Sequence, residues 1–177
     1  MTPHDWPYIV DNGCYGVDDP DEWDSEPFFN RLKTIDDRMP RDPNFIVLPD
    51  VPGEPDATLE RSLYYVERVA ELGYDYYLPI QEGNSIRNVV SLAQSIDASG
   101  IFVGLGIDQT VSSLIELAHE EGLGVHIGRP GTDLTWARDL GADSVDTTTI
   151  VRNGAWGRLR RLENSSGSRQ LRAEAFY

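Results

Sequence analysis

A short apolar stretch carries two carboxylates and is followed by an arginine. It reads GADSVDTTTIVR over residues 141–152 and contains Asp143, Asp146 and Arg152. A buried carboxylate costs several kcal/mol unless it is paired or hydrogen-bonded. Two carboxylates this close together therefore indicate either a surface loop or a working site.

Polar residues or glycines also end the other short apolar runs. They are Asp11, Asp50, Gln81, Gly104, Gly106 and Gly128. None of these ends carries a lysine, which excludes Schiff-base chemistry there. No serine or cysteine sits beside a histidine in the sequence, so an acyl-transfer triad is unsupported.

Carboxylates combined with a glutamine suit glycosidic chemistry. One carboxylate attacks the anomeric carbon while another moves a proton, and Asp and Gln side chains also hydrogen-bond purine edges. A hard cation held by Asp11, Asp50 and Asp146 stays open as an alternative. For His126, inside an apolar run, a hydrogen-bonded core role is favoured over a catalytic one.

Six apolar runs alternate with amphipathic stretches and must position these groups. Helices are predicted over about 25–38, 57–72, 85–97, 109–121 and 132–140, with glycines 73, 122 and 141 at three helix ends. Short turns from each helix into the next run indicate parallel β/α units. The predicted strands are YIVDN (8–12), FIVLPD (45–50), YYLPIQ (76–81), IFVGLG (101–106), VHIG (125–128) and DSVDTT (143–148).

About six β/α units fit either an open doubly wound sheet or a barrel. Polar groups at nearly every strand end favour an α/β fold of the TIM-type (β/α) barrel, because an open sheet gathers them at one switch point. Eight units usually need about 250 residues, so the barrel is predicted to be short or incomplete. Residues 1–150 are expected to form the catalytic barrel core, and 151–177 an arginine-rich segment that packs on it.

The composition is strongly acidic. Thirty Asp and Glu face fifteen Lys and Arg, of which Lys33 is the one lysine, and this pattern favours adaptation to high salt. Residues 151–177 are the exception, with six arginines against two glutamates. That segment predicts either a nucleic-acid contact or a solvated basic face.

Cysteine content and hydropathy set further limits. The single cysteine, Cys14, excludes an internal disulfide and a multi-cysteine zinc site. Because no signal-type segment and no long apolar run is present, we expect a cytoplasmic protein without membrane contact (host cytoplasm if the gene is viral).

The order of the strand-end motifs resembles the tRNA-guanine transglycosylase superfamily. The likeness is greatest to its phage and archaeal-virus branch, the DNA 7-deazaguanine transglycosylases, and spans about residues 8–158. The stretch VDNGCYG (10–16) resembles the family's Asp-Ser-Gly-Gly-aromatic stretch. The resemblance implies that Asp11 is the general acid/base and that Tyr15 stacks on the base. Asn12 and Cys14 depart from the usual Ser and Gly.

Three further motifs imply contacts with the base edge. LPD (48–50) resembles the segment whose aspartate binds guanine, here Asp50, and PIQEG (79–83) resembles a Gln-Gly segment that places Gln81 on the base. VGLG (103–106) resembles a glycine-rich stretch whose backbone approaches the base. By that likeness its contacting residues are Gly104, Leu105 and Gly106.

The last two motifs imply the nucleophile and its surroundings. In HIG (126–128), Ile127 takes the place of an apolar residue covering the other face of the base, next to Gly128. GADSVDTTTIVR resembles a Gly-x-Asp-x-Phe-Asp segment followed by an arginine. This implies that Asp146 is the nucleophile, that Asp143 belongs to the substrate site, and that Arg152 contacts phosphate or sugar.

The resemblance implies exchange of guanine in DNA for a 7-deazaguanine base, without metal or other cofactor. The superfamily's tRNA enzymes carry a three-cysteine, one-histidine zinc module, which one cysteine cannot supply, so DNA is favoured as partner. A homodimer is a possible assembly. Three alternatives stay open: action on tRNA, a non-catalytic purine- or nucleotide-binding barrel subunit, and an unrelated phosphate-binding barrel that uses VGLG.

Overall fold

The computed structural model describes residues 7–14, 19, 22–104, 110–128, 134–146 and the backbone of 172–176. Strands and helices alternate, as predicted, although the helix expected over 25–38 is two helices. Gly73 and Gly122 follow helices with φ of 78° and 77°, the left-handed conformation expected of glycines at helix ends. The elements are β1 (Tyr8–Ile9), α1 (Ser25–Leu32), α2 (Ile35–Arg38), β2 (Ile46–Val47), α3 (Pro55–Ala70), β3 (Tyr76–Ile80), α4 (Ile86–Ser95), β4 (Gly100–Val103), α5 (Val111–Glu120), β5 (Gly124–Ile127), α6 (Leu134–Asp139), β6 (Ser144–Asp146) and β7 (Arg172–Phe176).

All described strand pairs are parallel, in the order β1-β7-β6-β5-β4-β3-β2. The sheet is curled, because β1 and β2 at its two edges also bond each other. The Val10 amide donates to the Phe45 carbonyl at 3.1 Å, and the Val47 amide donates to the Val10 carbonyl at 2.9 Å. The predicted α/β class with parallel β/α units is confirmed, and its sheet is curled. A complete barrel of eight units is not what the described residues form.

The two faces of the sheet bury different sets of residues. On one face the helices pack over strand residues such as Leu78, Ile101 and Val125. A second cluster contains Ile9, Phe45 and Val47, with the rings of Tyr77 and Phe102 against it. Side chains alternate between faces along a strand, so this second cluster fills the concave face.

Packing on the concave face requires glycine at the start of two strands. The Tyr77 ring stacks on Phe45 at 3.8 Å between centroids and 9° between planes. A Cβ on Gly100 would lie 2.5 Å from the Tyr77 ring, and one on Gly124 would lie 2.2 Å from its hydroxyl oxygen. The two glycines therefore make room for the tyrosine.

Strand β7 corrects the predicted segment boundary. Residues 172–176 lie in the sheet between β1 and β6, with Asp146 in register with Glu174, rather than packing on the outside. The predicted core therefore gains a strand from beyond residue 150. Residues 151–171, including most of the arginine-rich segment, lie outside the described residues.

No helix in the described ranges is both long enough and apolar enough to span a bilayer.

Candidate functional site

Several predicted site residues follow neighbouring strands at the carboxyl edge of the sheet. Asp11, Asp50 and Gln81 come just after β1, β2 and β3, Gly104 follows β4, and Asp146 is the last residue of β6. Parallel strands deliver all of these residues to the same edge. The structure therefore brings together the acid, base-reading and nucleophile positions predicted from the sequence.

Helix α3 fixes the backbone around Asp50. The Thr58 hydroxyl accepts from the amide of the residue after Asp50 at 3.0 Å and donates to that residue's carbonyl at 2.9 Å. Ser62 donates to the carbonyl of the residue before Asp50 at 2.9 Å, and Arg61 donates to the carbonyl of Asp50 itself at 3.0 Å. Because Thr58, Arg61 and Ser62 share one helix face, they hold this turn together.

Two side-chain amides hold the carboxylate of Asp50. Asn12 Nδ2 donates to Oδ1 at 3.1 Å and to the Leu48 carbonyl at 2.8 Å. Gln81 Nε2 donates to Oδ2 at 2.8 Å, while its Oε1 accepts from the Gly53 amide at 3.3 Å. Asp50 and Gln81, both predicted to read a base edge, are thus direct hydrogen-bond partners.

The carboxylates at this edge influence one another. Burial, then the charge of Asp11, raises the pKa of Asp50 to about 6. Burial also raises the pKa of Asp11; the charge of Asp146 adds to that rise, while the Gly13 amide and Arg31 oppose it. Asp11 and Asp50 are therefore easier to protonate than ordinary carboxyl groups, as a proton-transferring group near neutral pH requires.

The raised pKa of Asp50 predicts a pH-dependent contribution to stability. Between about pH 4 and pH 6 the folded state binds this proton more tightly than the unfolded state, so the free energy of unfolding falls as pH rises. We expect the wild type to lose about 1–2 kcal/mol relative to Asp50→Asn across this window, and no more above about pH 7. Urea unfolding of both proteins at four pH values measures the difference. A difference independent of pH would contradict the assignment.

Asp146 belongs to a buried hydrogen-bonded chain. Asp146 is 1% exposed and His126 is 0% exposed. His126 Nε2 lies 3.2 Å from Asp146 Oδ2, and its Nδ1 lies 2.8 Å from the hydroxyl of Ser144. Phe102 stacks on the imidazole at 5.1 Å, and Phe45 meets it edge-on at 5.2 Å.

In space a serine does lie beside a histidine, since Ser144 contacts His126, although the two are far apart in the sequence. The order of the three groups in this hydrogen-bonded series nevertheless argues against acyl transfer. Ser144 is in register with His126, whereas Asp146 lies two residues closer to the carboxyl edge. Both groups are buried, with Ser144 5% exposed and Asp146 1% exposed, so position along β6 is what distinguishes them. An attacking hydroxyl would have to face the edge, and here the carboxylate is the group closest to it.

Two predicted substrate contacts lie elsewhere, and a third has a packing role. Asp143 precedes β6 at the amino edge, where it accepts from the Val125 amide and pairs with His119, both at 2.8 Å. Ile127 belongs to the core cluster under the helices, because it is the residue next to the inward-facing His126 and side chains alternate between faces along a strand. At Gly128 a Cβ would lie 2.7 Å from the Phe102 ring, so this glycine makes room for packing. The assignments of Asp143 and Ile127 are corrected, whereas Gly128 follows β5 at the carboxyl edge, as Gly104 follows β4.

Gly104 stays beside the predicted base readers. A Cβ there would lie 3.7 Å from Gln81 Oε1, in ordinary contact. Tyr15, Leu105, Gly106 and Arg152 lie outside the described residues. Within the described residues no three His, Cys, Asp or Glu side chains are grouped to hold a metal ion.

Two residues of the site have no assigned role in the sequence analysis. Asn12, noted there only as a departure, bonds both Asp50 and the Cys14 amide. Arg31 on α1 donates to the Asp11 carbonyl at 3.2 Å. An arginine within a predicted helix that also carries Phe28 and Phe29 was the available signal, but it does not reveal which loop the side chain reaches.

Comparisons with known proteins leave the family open. No protein-family model and no curated protein matches the chain. Among solved structures, the chain is similar to the GH18 chitinase ChiB from the chitin utilization locus of Flavobacterium johnsoniae, with 9% identity and a TM-score of 0.43. The match covers 81% of this chain and 54% of the chitinase, so the chain spans about half of that structure. The strand order and the site residues by themselves define a parallel α/β protein with carboxylates at the carboxyl edge of a curled sheet.

Proposed function

We propose that this protein is a transglycosylase that exchanges guanine in DNA for a 7-deazaguanine base. The observation that carries the proposal is the carboxylate set at one sheet edge. Asp146 is held by an imidazole, while burial raises the pKa of the neighbouring Asp11. A double displacement at an anomeric carbon needs two carboxyl groups with different roles, one as nucleophile and one as the group that transfers a proton.

The reaction proceeds in two displacements. A carboxylate oxygen of Asp146 attacks C1′ of the nucleotide, the C1′–N9 bond breaks, and guanine takes its electron pair and a proton from Asp11. The incoming base then gives a proton to Asp11, and its nitrogen attacks C1′, which releases Asp146. Two inversions return the original configuration, as in retaining glycosidases.

Asp50 and Gln81 are the proposed readers of the base. The Asp50 carboxylate accepts hydrogen bonds from the N1–H and N2 amino groups of guanine, and the Gln81 amide donates to O6. These groups now bond each other at 2.8 Å, so base binding exchanges one hydrogen bond for others. Adenine presents neither this donor pair nor O6, and it would leave buried polar groups unpaired.

Exchange of labelled guanine tests the proposal without knowledge of the natural base. The protein is incubated with unlabelled double- or single-stranded DNA, or with tRNA, and radiolabelled guanine, in concentrated KCl to suit the acidic composition. Label recovered in DNA is the expected result. Label in tRNA alone would replace the DNA assignment by the tRNA alternative, and label in neither would overturn base exchange.

A second function, purine binding without turnover, is favoured by one observation. The side chain of Asp146 has 0% relative exposure, whereas a nucleophile must reach C1′. Guanine binding in calorimetry, with neither label transfer nor a covalent DNA–protein species on denaturing gels, would identify the binder.

A further inference from the structure

Two histidine–aspartate pairs lie near β5 and β6, at opposite edges of the sheet: His126–Asp146 joins the two strands, and His119 on α5 pairs with Asp143 just before β6. At the carboxyl edge, His126 and Asp146 both have side chains with 0% exposure. At the amino edge, the same two residue types form the His119–Asp143 pair, with exposures of 20% and 34%. The His126–Asp146 pair includes the proposed nucleophile. The His119–Asp143 pair lies away from the site, so substitutions in it serve as controls.

We propose that His126 is a positioning residue for Asp146, an inference that rests on the proposed function. The imidazole carries its proton on Nε2 and donates it to Asp146 Oδ2, while Nδ1 accepts from the Ser144 hydroxyl. Both contacts are within hydrogen-bond range, at 3.2 Å and 2.8 Å. Ser144 thereby selects the tautomer that serves the carboxylate, because a hydroxyl donating to Nδ1 leaves the proton on Nε2.

A hydrogen bond to Oδ2 acts in both displacements. It fixes the carboxylate rotamer and directs attack at C1′ to Oδ1. In the glycosyl ester, Oδ2 becomes the carbonyl oxygen, and the C1′–Oδ1 bond breaks when the incoming base attacks. The returning negative charge is then shared with an oxygen that already accepts an N–H, which makes Asp146 a better leaving group.

The surrounding rings keep the imidazole in place. Phe102 stacks on it with 12° between planes, and Phe45 contacts it nearly at right angles. Gly128 leaves the space that the Phe102 ring occupies. A histidine clamped on two sides holds its donor in one direction, which pre-organises the carboxylate before substrate binds.

Matched substitutions test the role of His126 through its two nitrogens. A glutamine amide reaches near the position of Nε2, whereas the shorter asparagine amide reaches only near Nδ1. We expect His126→Asn to lower kcat for guanine exchange about 10- to 100-fold with KM little changed, and His126→Gln to restore part of the loss. His119→Gln, which removes the histidine of the other pair, leaves the rate unchanged.

Each outcome of the kinetic test is informative. Equal, wild-type rates in the Asn and Gln variants would overturn the inference while leaving base exchange in place. A loss in His119→Gln as large as in His126→Asn would assign the effect to general stability and overturn it as well. Absence of exchange by the wild type would overturn the proposed function, and the inference with it.

The imidazole tautomer supplies a readout that does not depend on turnover. Nitrogen-15 NMR of the ring distinguishes a proton on Nε2 from one on Nδ1. We expect the Nε2–H form in the wild type, and a loss of that preference in Ser144→Ala together with a lower kcat. An Nδ1–H tautomer in the wild type would contradict the proposed donor to Asp146.

Discussion

Replacing Asp146 by asparagine is expected to reduce guanine exchange by at least about a thousandfold, or about 4 kcal/mol of barrier. An amide oxygen is a far poorer nucleophile at C1′ than a carboxylate oxygen. The asparagine still offers an oxygen to His126, so the melting temperature should change little. Label transfer and thermal unfolding are measured on the same preparation.

Asp143→Asn is the matched control, three residues earlier in the sequence. It removes the carboxylate paired with His119 at the amino edge, and exchange should continue at close to the wild-type rate. Retention of more than about a tenth of the rate by Asp146→Asn would contradict its role as nucleophile. A large drop in melting temperature together with lost activity would instead indicate a structural role for the buried pair.

Replacing Gly124 by alanine is expected to destabilise the fold by about 3 kcal/mol, the upper part of the usual range for overpacking a core. The new Cβ would lie 2.2 Å from the Tyr77 hydroxyl oxygen and 3.2 Å from the ring carbon that bears it. The ring cannot move away easily, because it stacks on Phe45. Urea unfolding measures the loss.

A double-mutant cycle shows whether the hydroxyl is the cause. In a Tyr77→Phe background, Gly124→Ala should lose most of its effect. Gly100→Ala should remain as damaging there, because its Cβ would lie 2.5 Å from the Gly124 carbonyl oxygen and 2.5 and 2.6 Å from two ring carbons. An equal cost of Gly124→Ala in both backgrounds would be inconsistent with this packing.

The elements of the fold were largely predictable from local pattern. Apolar runs of strand length, amphipathic stretches and glycines at helix ends each reflect interactions within a few residues. Strand β7 was missed, because RAEAF at 172–176 places charged residues within a strand and follows a long arginine-rich stretch. Strand β7 is recognisable from its pairing with β1 and β6 and not from its own residue types.

Some residues of the candidate site could be placed from the sequence because their position at the end of a strand was enough to locate them. Asp11, Asp50 and Gln81 follow strands that end at one edge, so parallel topology alone brings them there. Asp143 and Ile127 were misplaced because site membership also depends on which edge and which face a residue occupies. A shift of one residue along a strand moves a side chain to the other face of the sheet, and a short motif does not specify which face that is. The distant partners Arg31 and Ser62 depend on how helices pack.

The place of β7 between β1 and β6 has a consequence for the order of folding. Tyr8 pairs with Ala175, and Asp146 pairs with Glu174, so one late strand joins the earliest strand to the sixth. During synthesis, strands β2 to β6 can pair with one another before β7 leaves the ribosome. The nascent sheet therefore exposes an unpaired edge at β6, beside the carboxylate of Asp146, until the final contact of high sequence separation forms. Such long-range pairing is slow, and an open strand edge is where nascent chains associate with one another.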